Sequence, residues 1–257
     1  MTAFIYGKYP VASFIERYPS EINKLWYSEE NHLSFFSNNS FFEQISKQKL
    51  SNKELRHKFA LKEYESHQGL VLEINTNLKE LLFCSVEELI IESSHLGKIL
   101  LWLPSIQDTH NLGAVIRSCV ALNLIHGIIL PSSKSVNITP AVAKVSAGSL
   151  FNMKFANFSS FNSVTNSLKD NGINLVCMEK RGQSENLWSV NFKNLEPFVL
   201  VIGSEDRGIP EAIRRSSDYQ IKIPQSDKVE SLNLSVATGI VLYEILKQYD
   251  SPSLHSL

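Results

Sequence analysis

The chain has 257 residues, 43% of them hydrophobic, and a formal net charge of −1. That length suits one large domain or a small and a medium one, and the composition is ample for a packed core, which sets aside disordered and repetitive classes. The near-zero charge gives no global sign of a polyanionic partner, and the longest apolar runs, Ile99 to Leu103 and Phe198 to Ile202, are far too short to span a bilayer.

From Met1 to about Ser94 the pattern is short and mixed. Pro10 to Glu16 reads as a turn or two of helix, Leu25 to Tyr27 as a short strand, Phe35 to Ile45 as a helix, and Gly69 to Ile74 as a strand. This describes a small α/β module over residues 1–94. Within it Lys47, Lys49, Lys53, Arg56, Lys58 and Lys62 crowd a stretch whose only acid is Glu54. Such a run is either a solvated helix face or a surface for a polyanion. Ser94-His95-Leu96-Gly97 reads as the linker.

From Lys98 onward the rhythm is regular. Ile99 to Leu103, Gly127 to Leu130, Asn174 to Cys177 and Phe198 to Ile202 are continuous apolar runs, suited to strands buried on both faces of a parallel sheet. Between them His110 to Leu122, Pro140 to Val145 and Phe161 to Asp170 have helical length and amphipathic spacing. This alternation predicts an α/β fold with a doubly covered sheet over residues 98–257. The final helix, Asn233 to Tyr249, is apolar on more than one face, which predicts burial or a subunit interface. The N-terminus has no secretory pattern, and Cys84, Cys119 and Cys177 are widely spaced and odd in number. They fit neither a disulfide framework nor a zinc site, so reduced thiols, a cytoplasmic location and no metal are expected.

Three polar clusters each follow a predicted strand, at the edge of a parallel sheet where ligands usually bind. In the first, Asp108 or Thr109 can cap a helix that carries Asn111, Gly113 and Arg117. Gly113 and Arg117 share a face, so the guanidinium can lean over a position with no side chain. The second, Gly203 to Pro210, ends a buried strand with a glycine and places Glu205 at the sheet edge. The third, Ile223 to Ala237, sets Ser231 and Asn233 between a strand and the apolar final helix. Caps and polar turns would explain each cluster alone; they do not explain three together. A dinucleotide-binding enzyme is disfavoured, because Leu103-Pro104-Ser105-Ile106 stands where its glycine-rich turn belongs.

These segments resemble, in order and spacing, the three signature motifs of the SpoU (TrmH-like) RNA ribose 2′-O-methyltransferases of the SPOUT superfamily. Asp108, Asn111, Gly113 and Arg117 match the first motif, and Gly203, Glu205 and Gly208 the second. Ile223, Pro224, Glu230, Ser231, Leu232, Asn233, Ser235 and Ala237 match the third. Ser146-Ala147-Gly148 resembles a small-residue segment common between the first two. Gly7 to Val11 and His67 to Gly69 resemble, more softly, spots of a ribosomal-protein-like RNA-recognition domain. The resemblance implies a deep C-terminal trefoil knot, a homodimer, and S-adenosylmethionine held by Gly203, Ile223 and Leu232. It implies methyl transfer to a ribose 2′-hydroxyl of RNA, ribosomal RNA ahead of transfer RNA, with Arg117, Asn111, Glu205, Ser231 and Asn233 as the catalytic group. The alternative is a non-catalytic RNA-binding or ribosome-assembly protein that keeps the fold. Asp227 and Gln225 depart from the family pattern, which usually has Gly and often Met there.

Overall fold

Apolar runs and capped amphipathic stretches alternate along the chain in the following order. The computed structural model describes residues 3–36, 40–133, 135–180, 184–204 and 207–249. The elements begin with β1 (Ala3–Tyr6), α1 (Lys8–Arg17), β2 (Ile22–Tyr27), β3 (Lys47–Lys49), α2 (Asn52–Lys58), β4 (Leu70–Ile74) and α3 (Leu78–Leu82). Then come β5 (Phe83–Cys84), α4 (Val86–Leu96), β6 (Ile99–Trp102), α5 (Thr109–Leu122), β7 (Ile125–Pro131) and α6 (Pro140–Val145). The chain continues through β8 (Lys154–Phe158), α7 (Phe161–Asp170), β9 (Asn174–Met178), β10 (Glu185–Asn186) and β11 (Phe198–Ile202). It closes with α8 (Glu211–Arg215), β12 (Tyr219–Lys222) and α9 (Leu234–Gln248). Two compact units result: Met1–Leu82 with Asn137–Asn152, and Phe83–Val136 with Met153–Leu257.

The first unit is built on a four-stranded sheet in the order β1-β4-β2-β3. β4 runs antiparallel to both neighbours and buries Leu70, Val71 and Leu72 completely, as its unbroken apolar run requires. α1 turns Val11, Phe14 and Ile15 inward, and Phe14 meets Phe151 edge-on at 5.1 Å. α2 opens on a capping box in which Ser51 and Glu54 satisfy each other's backbone N–H groups. Among the described residues of Phe35 to Ile45 the expected helix does not form. Short 3-10 turns, Glu30–Phe36 and Phe42–Gln44, take its place. Phe36 and Phe42 stack with ring centroids 4.9 Å apart, whereas six residues of straight helix would hold them ~9 Å apart along the axis.

The second unit is an eight-stranded sheet in the order β10-β12-β9-β11-β6-β7-β8-β5, parallel throughout among its paired strands. Its centre, β6 and β11, is buried on both faces. Trp102, Leu100, Val199 and Val201 share one core with residues of α4 and α7. Helices α5 and α9 pack on one another. All carboxyl ends of these strands therefore fall along one edge.

The junction differs from the expected linker at residues 94–97. Gly97 is the left-handed C-cap of α4, a helix stop rather than a domain boundary. α4 packs into the second unit: a Cβ on Gly127 of β7 would come within 2.5 Å of Leu89. Residues 137–152 belong instead to the first unit, although the alternation placed them in the second. Ala147 and Gly148, both with positive φ, reverse the chain there. Ser13 Oγ donates to the Gly148 carbonyl at 3.0 Å, and a Cβ on Gly148 would meet the Tyr9 carbonyl at 2.7 Å. The three cysteines are free thiols, and burial pushes that of Cys177 up to about 12. Among the described residues no helix is long and apolar enough to cross a membrane, and no group of three His, Cys, Asp or Glu is placed to hold a metal.

Candidate functional site

At the carboxyl edge of the large sheet, where β9, β11 and β12 end, lies a cleft of about 880 Å³. Gly203 follows the last residue of β11, and the chain then folds back on itself. The Gly208 N–H donates to the Ser204 carbonyl at 2.9 Å, and Ser204 Oγ accepts from the Arg207 N–H at 3.3 Å. A Cβ at Gly203 would lie 2.2 Å from the carbonyl carbon of Gly208, so only glycine permits this closure. Gly208 itself has φ +64°. Backbone atoms thus form one wall.

The opposite wall is the segment after β12. Ile223, Gln225, Ser231 and Leu232 line it, and Leu234 and Ala237 of α9 continue it. Lys180, beyond the end of β9, holds that segment in place: its ammonium donates to the carbonyls of Val229 at 2.9 Å and Glu230 at 3.0 Å. Sequence reasoning passed over Lys180, although Glu179-Lys180 is a polar step following a buried strand like the other three. Glu211 also lines the cleft and accepts from Arg214 Nε at 2.9 Å and Arg215 Nε at 2.7 Å, which holds its carboxyl below the usual range.

Gln225 Oε1 is buried at this wall with no hydrogen-bond partner among the described residues. A buried acceptor left unpaired is costly, and one facing a cleft invites a donor from a ligand. With the glycine-lined wall and the aliphatic side chains of Ile202, Ile223 and Leu232, this donor set fits a nucleoside-like group such as S-adenosylmethionine. Asp227, the other departure, is exposed and is not among the residues with positive φ, so its backbone has no need of glycine.

The structure brings Gly203, Ile223, Leu232 and Ser231 together in the cleft. It also joins the first and third segments. Asn233 Nδ2 donates to Asn111 Oδ1 at 2.9 Å, while Asn233 Oδ1 caps α9 by accepting from the N–H groups of Ser235 at 3.0 Å and Val236 at 3.4 Å. Asp108 caps α5 as expected, accepting from His110 N–H at 2.7 Å. Arg117 stands apart: it is exposed on α5, does not line the cleft and makes no ion pair among the described residues, while Gly113 is buried. Glu205 lies outside the described residues.

The chain is similar to several known proteins. A protein from Blochmanniella floridana, the 23S rRNA (guanosine-2′-O-)-methyltransferase RlmB, is 31% identical over 251 residues, 96% of each chain. Its namesake from Pseudomonas putida is 28% identical over 246 residues, 95% of this chain and 96% of that one. Other relatives match in part: the chain is 33% identical to YacO of Bacillus subtilis over 149 residues, 57% of that protein's length. The solved structure of an AdoMet-bound rRNA methyltransferase from Sinorhizobium meliloti shares the fold, with a TM-score of 0.75 at 21% identity over 97% of this chain and 88% of that one. The SpoU methyltransferase AviRb from Streptomyces viridochromogenes does likewise, with a TM-score of 0.71 at 20% identity, covering 96% of this chain and 89% of that one. The model of the SpoU rRNA Methylase family matches residues 98–243, more than half of the sequence. The chain belongs to that family of S-adenosylmethionine-dependent RNA methyltransferases.

Proposed function

We propose that this protein methylates a ribose 2′-hydroxyl of ribosomal RNA, with a guanosine of 23S rRNA as the target favoured by its full-length relatives. The observation that carries the reading is the cleft itself, formed where the second and third polar segments meet at the carboxyl edge of the sheet, with the Asn233–Asn111 tie drawing in the first. Bound there, S-adenosylmethionine supplies a methyl group on a positively charged sulfur. Gly203, Ile223 and Leu232 would hold the cofactor, and Gln225 Oε1, buried at the same wall, would be free to accept from it. The knot implied by the resemblance would thread the two loops that form these walls.

Ser231, Asn233 and Asn111 orient the ribose, so that its 2′-oxygen approaches in line. Arg117 acts by fixing a phosphate and stabilising charge on the 2′-oxygen as its proton passes to solvent. Glu205 anchors a guanidinium or the substrate. The first unit, with its basic stretch from Lys47 to Lys62, recognises the RNA; Lys24 and Lys58 lie over the Trp26 ring at 5.1 and 4.4 Å. Val236, Ile240 and Tyr243 leave an exposed apolar stripe on α9 for a second copy of the chain. A cytoplasmic enzyme acting on RNA as a homodimer follows from this reading.

Mapping ribose methylation on total RNA from cells with and without the gene tests it. One ribosomal site should lose its methyl group. An unchanged map, or a purified protein that binds no S-adenosylmethionine in calorimetry, would instead favour the non-catalytic alternative.

A further inference from the structure

Within the first unit, the two N-terminal stretches singled out in the sequence meet. The Gly7 N–H donates to the Leu70 carbonyl at 3.1 Å, and the Lys8 N–H to Gln68 Oε1 at 3.1 Å. Lys144 joins them from α6. Its ammonium lies directly over Gly7, where a Cβ would come within 2.7 Å of Nζ; Gly7 has φ +95° and no side chain to obstruct it.

The electrostatics of this spot are one-sided. Lys144 is half-buried, and its ammonium makes no ion pair or hydrogen bond among the described residues. Burial, and then the neighbouring Lys8, push its ammonium below the usual range. The first turn of α1 carries no acid, and that end of a helix is itself electropositive. Desolvated like charges without a counter-ion destabilise the free protein, and an arriving anion relieves them.

Beside these cations stands exposed aromatic surface. Tyr9, next to Lys8, is 58% exposed and meets Phe35, 44% exposed, edge-on at 5.5 Å. A base inside a duplex has both faces covered by its neighbours, whereas an unpaired base can lie against a side-chain ring.

We propose that Lys8, Lys144, Tyr9 and Phe35 hold one unpaired nucleotide of the RNA, its phosphate on the two ammonium groups and its base against the Tyr9–Phe35 pair. This rests on the RNA-methyltransferase reading above and adds the feature that the first unit selects, a loop or bulge rather than a continuous helix.

Two labelled probes test it with the full chain: an RNA stem–loop, and the same stem closed into an uninterrupted duplex. The wild-type protein should prefer the stem–loop. Tyr9→Ala should weaken stem–loop binding about tenfold and leave duplex binding unchanged. The Lys8→Gln/Lys144→Gln double variant should weaken it further and flatten the dependence of log affinity on log salt by roughly one unit. Lys144→Gln alone should not lower the melting temperature, which separates an anion site from a structural lysine. Equal wild-type affinity for both probes, no binding to either, or unchanged stem–loop affinity in all variants would overturn the inference, as would a fall in melting temperature for Lys144→Gln. Calorimetry with S-adenosylmethionine on the same samples judges the methyltransferase reading separately, since the RNA measurements need no cofactor.

Discussion

Asn233 uses both ends of its amide: Oδ1 caps α9, and Nδ2 donates to Asn111 on α5. One residue therefore sets the start of the last helix and the position of a side chain 122 residues earlier. Asn233→Ala should cost about 1 kcal/mol from the lost cap and reduce methyl transfer much further. Asn233→Asp keeps the capping oxygen but loses the donor to Asn111. Thermal melts should show it close to wild type while its activity stays low. If Asn233→Asp is fully active, the tie to Asn111 has no part in orienting the ribose.

Gly203→Ala puts a methyl group where the Gly208 and Ile209 backbone already sits. The loop must open, because backbone atoms have no rotamer to move into. Affinity for S-adenosylmethionine, measured by calorimetry, should fall at least tenfold, an amount equal to about 1.4 kcal/mol. Since the clash falls on an edge loop rather than in the sheet core, cooperative unfolding should persist.

Gln225→Leu separates stability from binding. Removing a buried acceptor that has no partner among the described residues should leave the free protein unchanged or stabilise it by about 1 kcal/mol. The same change should weaken cofactor binding several-fold, because the ligand loses its acceptor. Equal affinity in both proteins would take Gln225 out of the cofactor site.

Arg117→Lys keeps the charge but loses the planar fork. Single-turnover methylation should drop by at least tenfold, with cofactor affinity unchanged because Arg117 does not line the cleft. A normal rate for Arg117→Ala with the cofactor bound would remove it from the catalytic group.

Acid should find a weak point in the first unit. His67 is buried, its Nδ1 accepts from the Gly69 N–H at 3.1 Å, and burial followed by the charge of Arg56 holds its pKa below 6.5. The unfolded chain therefore binds the proton more readily. The stability contributed by neutral His67 is complete above about pH 6.5 and is lost as the pH falls towards its depressed folded value. Melting temperatures followed from pH 8 to 5 should decline less steeply in His67→Gln than in the wild type.

The sequence made the central strands legible because β6, β7, β9 and β11 are buried on both faces and so lack interruption. It made α6 and α7 legible to the residue, through Pro140 at a helix start and the spacing of Val164 and Leu168. Four of the eight site residues could be placed in one cleft for a related reason, since strand ends in a parallel sheet share an edge. The Asn233–Asn111 bond could not be read, because it depends on how α5 and α9 pack. Gln225 reads in the sequence as a mere departure from a pattern, because the burial of its oxygen without a partner among the described residues depends on the folded wall. Phe35 to Ile45 misled because aromatic density resembles a helical face, whereas its described residues form short 3-10 turns with Phe36 stacked on Phe42.

The reversal at Ala147-Gly148 makes the two units topologically interleaved. The backbone passes between them three times, after Leu82, Val136 and Asn152. A protease nick near Leu82 would thus yield two fragments, neither of them a self-contained unit: the shorter lacks Phe151, the edge-on partner of Phe14, and the longer carries Phe151 without Phe14. Such fragments should remain together on a native gel and part only in denaturant. By the same logic, a shortened version of this protein that begins at β5 would have to redesign residues 137–152, and not simply discard its amino-terminal third.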